Sequence, residues 1–216
     1  MKVALIGASG FVGTAVLNEL LQRNHQVAAI VRHPEKIKKA GNLNVFAADV
    51  LDEEALQAAL RGQDAVISAY NAGWANPNIY DDFMAGAKAI QESVKKAGVK
   101  RLIVIGGAGS LFIAPGQQLV DTDAFPAEWK PGALAARDYL NILREDRMLD
   151  WTFLSPAIEM NPGTSGIRKG VYRMGLDSPV FDDNHKSMIS VEDIGVAIVD
   201  ELEHPRHIRQ RFTVAY

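Results

Sequence analysis

Residues 2–32 read KVALIGASGFVGTAVLNELLQRNHQVAAIVR. Lys2 to Ile6 is a short apolar run of strand character. Gly7, Ala8, Ser9, Gly10, Phe11, Val12 and Gly13 follow without a spacer. Val12, Val16, Leu17, Leu20 and Leu21 then fall on one face of a helical pattern, and Gln26 to Val31 is a second apolar run. Strand, glycine turn, helix and strand is the order in which a dinucleotide-binding βαβ unit opens. Gly7 turns the chain off the strand, Gly10 lets backbone approach a pyrophosphate, and Gly13 lets the helix pack closely. The helix-start amides, those of Phe11 and Val12 among them, then face the phosphates, with Ser9 in the same turn. The spacing is GxxGxxG, not GxGxxG. An empty or altered shell of the same fold is the alternative.

Working outward, the 216 residues suit one domain, residues 1–216, with a substantial core and a small C-terminal extension. Apolar content of 48% and charged content of 23% are ordinary for a globular chain. The absence of cysteine removes disulfides, thiol catalysis and thiolate metal sites. No basic, apolar leader precedes the first strand, so a cytoplasmic location is the default. No stretch is long and apolar enough to span a membrane. A net charge of -3 gives no pull toward nucleic acid. The histidines lack metal-like spacing, and no metal is expected.

Leu43–Ala47 reads as a third strand, and Ala65–Ser68, Arg101–Ile105 and Thr152–Ser155 as strands four to six. Short pieces are expected at Val171–Arg173, Ser187–Ile189 and Phe212–Val214. A short helical segment is expected at Glu35–Lys39. Asp52 caps a helix reaching Leu60. Asn76 and Pro77 sit where a cap and first helical residue belong, with Gly98 ending that helix. Pro131 and Gly132 precede a helix through about Arg147. Ser190 and Asp193 form a capping-box-like pair for a helix to about Leu202. Residues 107–130 are a long connection rich in Gly, Pro and Asp, a kind that often carries function. Alternating strands and helices predict an α/β, doubly wound parallel sheet in three αβα layers, with core order 3-2-1-4-5-6. The ligand then lies across the C-terminal ends of strands one and four.

The end of strand two offers Arg32 and His33 where an NAD site carries an acid on the ribose 2′-hydroxyl. A guanidinium grips a 2′-phosphate that a carboxylate would repel. NADP(H) is therefore favoured over NAD(H), with Arg32 on the phosphate and His33 beside it; a solvated strand-end charge is the plainer reading of Arg32. Asp49, with Val50 supplying backbone, reaches adenine, or else serves only as a turn residue. Ser68, Ala69 and Tyr70 end strand four near the ribose. Gly106, Gly107 and Ser110 follow strand five near the nicotinamide, where the glycines either admit the ligand or only turn the chain.

The combination of KVALIGASGFVG, VRHPEKI, AADVLD, RLIVIGGAGSL, DWTFLSPAIEMNPG, GVYRMG and SMISVEDIGVAIVDELE resembles the atypical, short members of the short-chain dehydrogenase/reductase superfamily. That group comprises NAD(P)H-binding proteins and candidate NADH-flavin reductases, and flavin/biliverdin-IXβ reductase is a more distant relative in shape. The resemblance covers essentially the whole chain. It implies a Rossmann-like reductase binding NAD(P)H, with flavins or quinone-like acceptors as substrates. It also carries Ser155 and Pro156 to the wall near the nicotinamide.

One departure matters. Superfamily members that reduce ketones use a Tyr-x-x-x-Lys pair, in which the lysine lowers the tyrosine pKa. None of Tyr70, Tyr80, Tyr139, Tyr172 and Tyr216 has a lysine four residues on. Hydride transfer to a flavin or quinone needs less acid help. The chain is thus read as an NAD(P)H-dependent oxidoreductase acting on a flat conjugated small-molecule acceptor, with FMN or FAD as passing substrate and not prosthetic group. A non-catalytic NADP(H) sensor and a nucleotide-sugar epimerase-like isomerase are the alternatives. Loops 70–77, 107–130 and 156–187 would form the substrate pocket, lined by Tyr70, Trp74, Phe112, Trp129 and Met160. The aromatic residues there either stack on the acceptor or pack a lid. Ser110 and His185 are the candidate proton donors, with a surface role the alternative for His185. The run from Arg206 to Arg211 reads as a solvated edge. Monomer and homodimer both stay open.

Overall fold

Strand-length apolar runs punctuated by glycine and capped helices produce an alternating chain. A computed structural model describes all residues, 1–216. The strands are β1 (Lys2–Ile6), β2 (Gln26–Val31), β3 (Leu43–Ala47), β4 (Ala65–Ser68), β5 (Arg101–Ile105), β6 (Phe112–Ala114), β7 (Gln117–Gln118), β8 (Asp150–Ser155), β9 (Arg173–Gly175) and β10 (Gln210–Ala215). The helices are α1 (Phe11–Gln22), α2 (Glu53–Leu60), α3 (Ile79–Lys96), α4 (Lys130–Glu145) and α5 (Val191–Glu203).

Eight strands form one sheet in the order β3-β2-β1-β4-β5-β8-β10-β9. The first six reproduce the expected core order. β10 adds in parallel to β8, and β9 pairs antiparallel to β10 at the far edge. Side chains alternate across each strand. Val3, Leu5, Ala29 and Val31 therefore join Val16, Leu20, Ile194 and Ile198 in the layer of α1 and α5. Ala4, Ile6, Ala28 and Ile30 join Leu56, Phe83, Ile90, Tyr139 and Leu143 in the layer of α2, α3 and α4. A sheet covered on both faces must present its ligand site at an edge. In the parallel part, the C-terminal ends of β1, β4, β5 and β8 share that edge.

Local signals held where side chains reach backbone amides. The Asp52 carboxylate accepts from the Ala55 amide at 3.1 Å, and the Ser190 hydroxyl from the Asp193 amide at 3.1 Å. Other boundaries moved. The Asn76 side chain accepts from the Asn78 amide at 2.9 Å, forming a turn, so α3 starts at Ile79 and not at Pro77. Pro131 and Gly132 lie inside the first turn of α4, which ends at Glu145. The helical piece expected at Glu35–Lys39 is a single 3-10 turn, Pro34–Lys36. The late strand expected at Val171–Arg173 begins instead at Arg173. Of Ser187–Ile189, only Met188 bridges, to Glu159. The long 107–130 connection carries the β6–β7 hairpin. No helix is long and apolar enough to cross a membrane.

Candidate nucleotide site at the C-terminal edge of the sheet

The β1–α1 turn is shaped by its backbone, with the Thr14 hydroxyl donating to the Ala8 carbonyl at 3.4 Å. Gly7 has φ +78°, and its amide donates to the Ile30 carbonyl at 3.0 Å. A Cβ on Gly7 would lie 2.6 Å from the Ala69 carbonyl oxygen, so the turn touches the end of β4. A Cβ on Gly13 would lie 2.0 Å from the Gly7 carbonyl oxygen. A Cβ on Gly10 would meet only that oxygen, at 3.3 Å, and is otherwise open. Gly10 caps α1 with no side-chain bond, and the first turn carries no acid. The Gly10 amide turns back to the Gly7 carbonyl at 3.0 Å, whereas the amides of Phe11, Val12 and Gly13 find no acceptor in the protein. Ser9, Gly10 and Phe11 are exposed there. Unpaired amides at a helix start favour an anion.

Arg32 stands exposed beyond β2, with no internal ion pair. His33 Nδ1 lies 3.4 Å from Glu35 Oε1, both on the surface. Asp49 is also exposed, and its carboxylate accepts from the Leu51 amide at 2.9 Å, which is turn chemistry. The Val50 side chain is buried in the layer of α2, α3 and α4, which leaves only its backbone for the adenine contact expected of it. Burial pushes the Tyr70 phenol up, as does the Asp49 carboxylate, while Arg32 opposes them. Arg32, Asp49 and Tyr70 thus share one electrostatic neighbourhood.

Tyr70 is not a free stacking plane. Its hydroxyl donates to the Asp82 carbonyl at 3.0 Å, and its ring stacks on Phe83 with centroids 5.9 Å apart. Ser68 is buried at the end of β4. Gly106 leaves room for the Phe153 ring, and its amide donates to the Leu154 carbonyl at 2.8 Å. Gly107 and Pro156 continue the edge beyond β5 and β8, with Pro156 buried.

The two expected proton donors sit in different surroundings, Ser110 buried and His185 exposed. The Ser110 side chain is buried, its Oγ 3.2 Å from Ser155 Oγ and 3.2 Å from the Gly107 carbonyl oxygen. Ser155 is fully buried as well, so both hydroxyls brace the floor and neither opens to a ligand. Ser155 shares the strand parity of Phe153 in β8, and Ser110 meets it from the 3-10 turn Ala108–Ser110. His185 is exposed, at φ +57°, in a turn closed by the Asp182 carboxylate.

The aromatic residues divide. Trp74 reaches the start of α4, where Cζ3 would be 2.9 Å from a Cβ on Gly132. Trp129 precedes that same helix. Trp74 and Trp129 are 60% and 53% exposed, so two indoles stand open beside one helix end. Phe112 is instead turned toward the extension: its amide donates to the Asp177 carbonyl at 2.8 Å, and the Arg211 guanidinium lies 5.8 Å from its ring. Met160 packs on the α1–α5 layer.

Sequence reading missed three braces. Glu19, buried on α1, accepts two bonds from Arg168 at 2.9 Å each and one from Arg23 at 2.8 Å. These partners hold its carboxyl below the usual range. Asp193 accepts from the amides of Lys169 and Gly170 and from the Tyr216 hydroxyl. Together they pin the 156–187 segment onto α1 and α5. The third is Arg211, whose side chain is 1% exposed, whereas Arg206 and Arg209 of the same run are exposed as a solvated edge would be. Asp193 alone had a signal in the sequence, its place in the capping pattern.

A family model described as NAD(P)H-binding matches residues 7–205. The uncharacterised protein YwnB of Bacillus subtilis is 37% identical over 99% of this chain and 98% of its own length. A candidate epimerase of Bacteroides thetaiotaomicron has a solved structure with TM-score 0.91 and 48% identity, covering 100% of this chain and 96% of that one. A candidate NADH-flavin reductase of Streptococcus pneumoniae gives TM-score 0.87 and 35% identity, over 100% of this chain and 99% of that one.

Proposed function

The chain belongs to the NAD(P)H-binding family, and from that premise we propose that it is an NADPH-preferring reductase of flavins, quinones or similar flat acceptors. The observation that carries the nucleotide half is the set of three free amides at Phe11, Val12 and Gly13 over an open Gly10. They would hold the pyrophosphate, and Arg32 the 2′-phosphate. Asp49 and the backbone of Ala69 and Tyr70 would border the adenosine and ribose, and Gly106, Gly107 and Pro156 the nicotinamide. NADPH supplies the hydride when bound.

The acceptor half rests on what the edge lacks and what it offers. Ser110 and Ser155 are buried and paired, and Tyr70 donates to a backbone carbonyl. With no positioned acid, the residues contribute orientation and proximity. A flat acceptor whose reduced form spreads its charge suits such a site. The open indoles of Trp74 and Trp129 would supply its stacking surface.

Steady-state oxidation of NADPH with FMN and menadione tests this. Turnover that is faster with NADPH than with NADH is expected. Micromolar NADPH binding with no turnover across a broad acceptor panel would favour a sensor instead. An epimerase would act on a nucleotide sugar with no net consumption of NADPH.

A further inference from the structure

Three glycines, at 106, 107 and 109, make the turn after β5 intrinsically loose. Something outside the turn must fix it. We propose that Arg211 is a positioning residue for the acceptor side of the site: from β10 its buried guanidinium, anchored by Asp177, locks the Gly106–Ser110 turn against the ends of β5 and β8. This inference rests on the reductase reading above for its consequence, though not for its geometry.

The guanidinium spends its donors on two partners. Nη1 donates to the Ser110 carbonyl at 2.7 Å and to Ser110 Oγ at 3.2 Å. Nε donates to Asp177 Oδ1 at 3.0 Å, and Nη2 bonds the same oxygen. Gln118 Nε2 donates to the Ser110 carbonyl as well, at 2.9 Å. Because Ser110 Oγ receives an Arg211 proton, its own proton goes to the Gly107 carbonyl or to Ser155 Oγ, each at 3.2 Å. The first bond closes the turn on itself; the second ties it to the end of β8. A planar fork fixes direction as well as distance, which an ammonium does not.

The burial is costly, and that cost argues for a role. The Arg211 side chain is 1% exposed while its counterion Asp177 is 61% exposed. Burial pulls the guanidinium below its ordinary value, with the Asp177 contact opposing. A buried cation costs several kcal/mol, and an apolar side chain of similar volume often serves stability as well or better. What an apolar side chain cannot do is hold a carbonyl and a hydroxyl of a glycine turn in one orientation. β10 and the 176–178 segment lie outside the six-stranded nucleotide-binding core, so the extension would act on the acceptor site through this side chain, with the bond from the Phe112 amide to the Asp177 carbonyl beside it.

The test compares Arg211→Met, Arg211→Lys and Asp177→Asn with the unmodified protein. Three quantities are read: NADPH affinity by calorimetry, kcat and KM with menadione, and amide hydrogen exchange over residues 107–118. For Arg211→Met the expected result is NADPH affinity within about twofold of the parent and kcat/KM for menadione down at least about tenfold. Exchange should be faster at 107–118 and unchanged in β1 and β4. Arg211→Lys keeps the charge without the fork and should recover less than half of the lost kcat/KM. Unaltered kcat/KM in a folded Arg211→Met protein would overturn the proposal, as would a parallel loss of NADPH affinity. Should Arg211→Met fail to fold, Asp177→Asn, at an exposed position, decides: unaltered exchange at 107–118 overturns the brace. A parent protein that binds NADPH yet reduces no acceptor removes the reductase reading, and exchange at 107–118 still judges the brace.

Discussion

A methyl group added to the β1–α1 turn has opposite consequences three residues apart. At Gly13 it would lie 2.0 Å from a backbone oxygen, a clash that only movement of the turn relieves. At Gly10 it would meet the same oxygen at 3.3 Å and otherwise face open space. Gly10→Val should therefore fold, with a loss of about 1 kcal/mol for a poor helix cap, and lose NADPH and NADH alike. Calorimetry on a variant with a cooperative thermal transition checks this; intact affinity would remove the pyrophosphate assignment. Arg32 gives the complementary case. It is exposed and free of internal partners, so Arg32→Ala should leave stability alone. A hydrogen bond to a charged group contributes about 1.5–3 kcal/mol. NADPH affinity should fall about tenfold or more while NADH changes less than about twofold. Equal losses for both nucleotides would count against the 2′-phosphate contact.

Between elements, buried ionised groups do the joining. Asp146, at the end of α4, is 3% exposed in its side chain and bonds Lys95 Nζ at 2.7 Å and Gln91 Nε2 at 2.6 Å, both from α3. It also accepts from the amides of Met148 and Leu149 at 2.8 and 3.0 Å. Burial pushes its carboxyl up, but Lys95, the Leu149 amide and Gln91 outweigh that and hold it at about 2. A depressed carboxyl contributes stability above its unfolded pKa of about 4 and loses it as the pH falls through the folded value. Asp146→Asn should cost about 3 kcal/mol near neutral pH and flatten the loss of stability between about pH 4 and pH 2. Urea midpoints across that range measure both effects; an acid limb as steep as the parent's would reject the assignment. The α1–Arg168 and α5–Lys169 contacts also join elements, each setting a buried carboxylate of a helix against residues 168–170, which lie in no strand or helix.

For the molecule as a whole, nucleotide binding should appear as stability. A ligand at one hundred times its Kd adds about 2.7 kcal/mol to the folded state. For a chain of this size that is a rise in Tm of about 5 to 10 °C. NADPH should give the larger shift and NADH at the same concentration the smaller, in a thermal melt of the full chain. Identical shifts would agree with the family and contradict the phosphate preference.

The sequence by itself determined the three-layer α/β plan, the order of the six core strands, the Asp52 and Ser190 caps and the Gly7–Gly10–Gly13 turn. Each of these follows from periodicity or from the conformational needs of residues close together in the chain, which physical chemistry expresses locally. Tertiary structure alone decided that Ser110 and Ser155 face each other in the buried interior. It alone turned the Tyr70 ring onto α3, and it drew Arg211 out of an arginine-rich run into the floor of the site. Those outcomes depend on which strand lies beside which and on the parity of a residue within its strand. Ser110 and Arg211 are separated by 101 positions, and no local pattern encodes the contact between them.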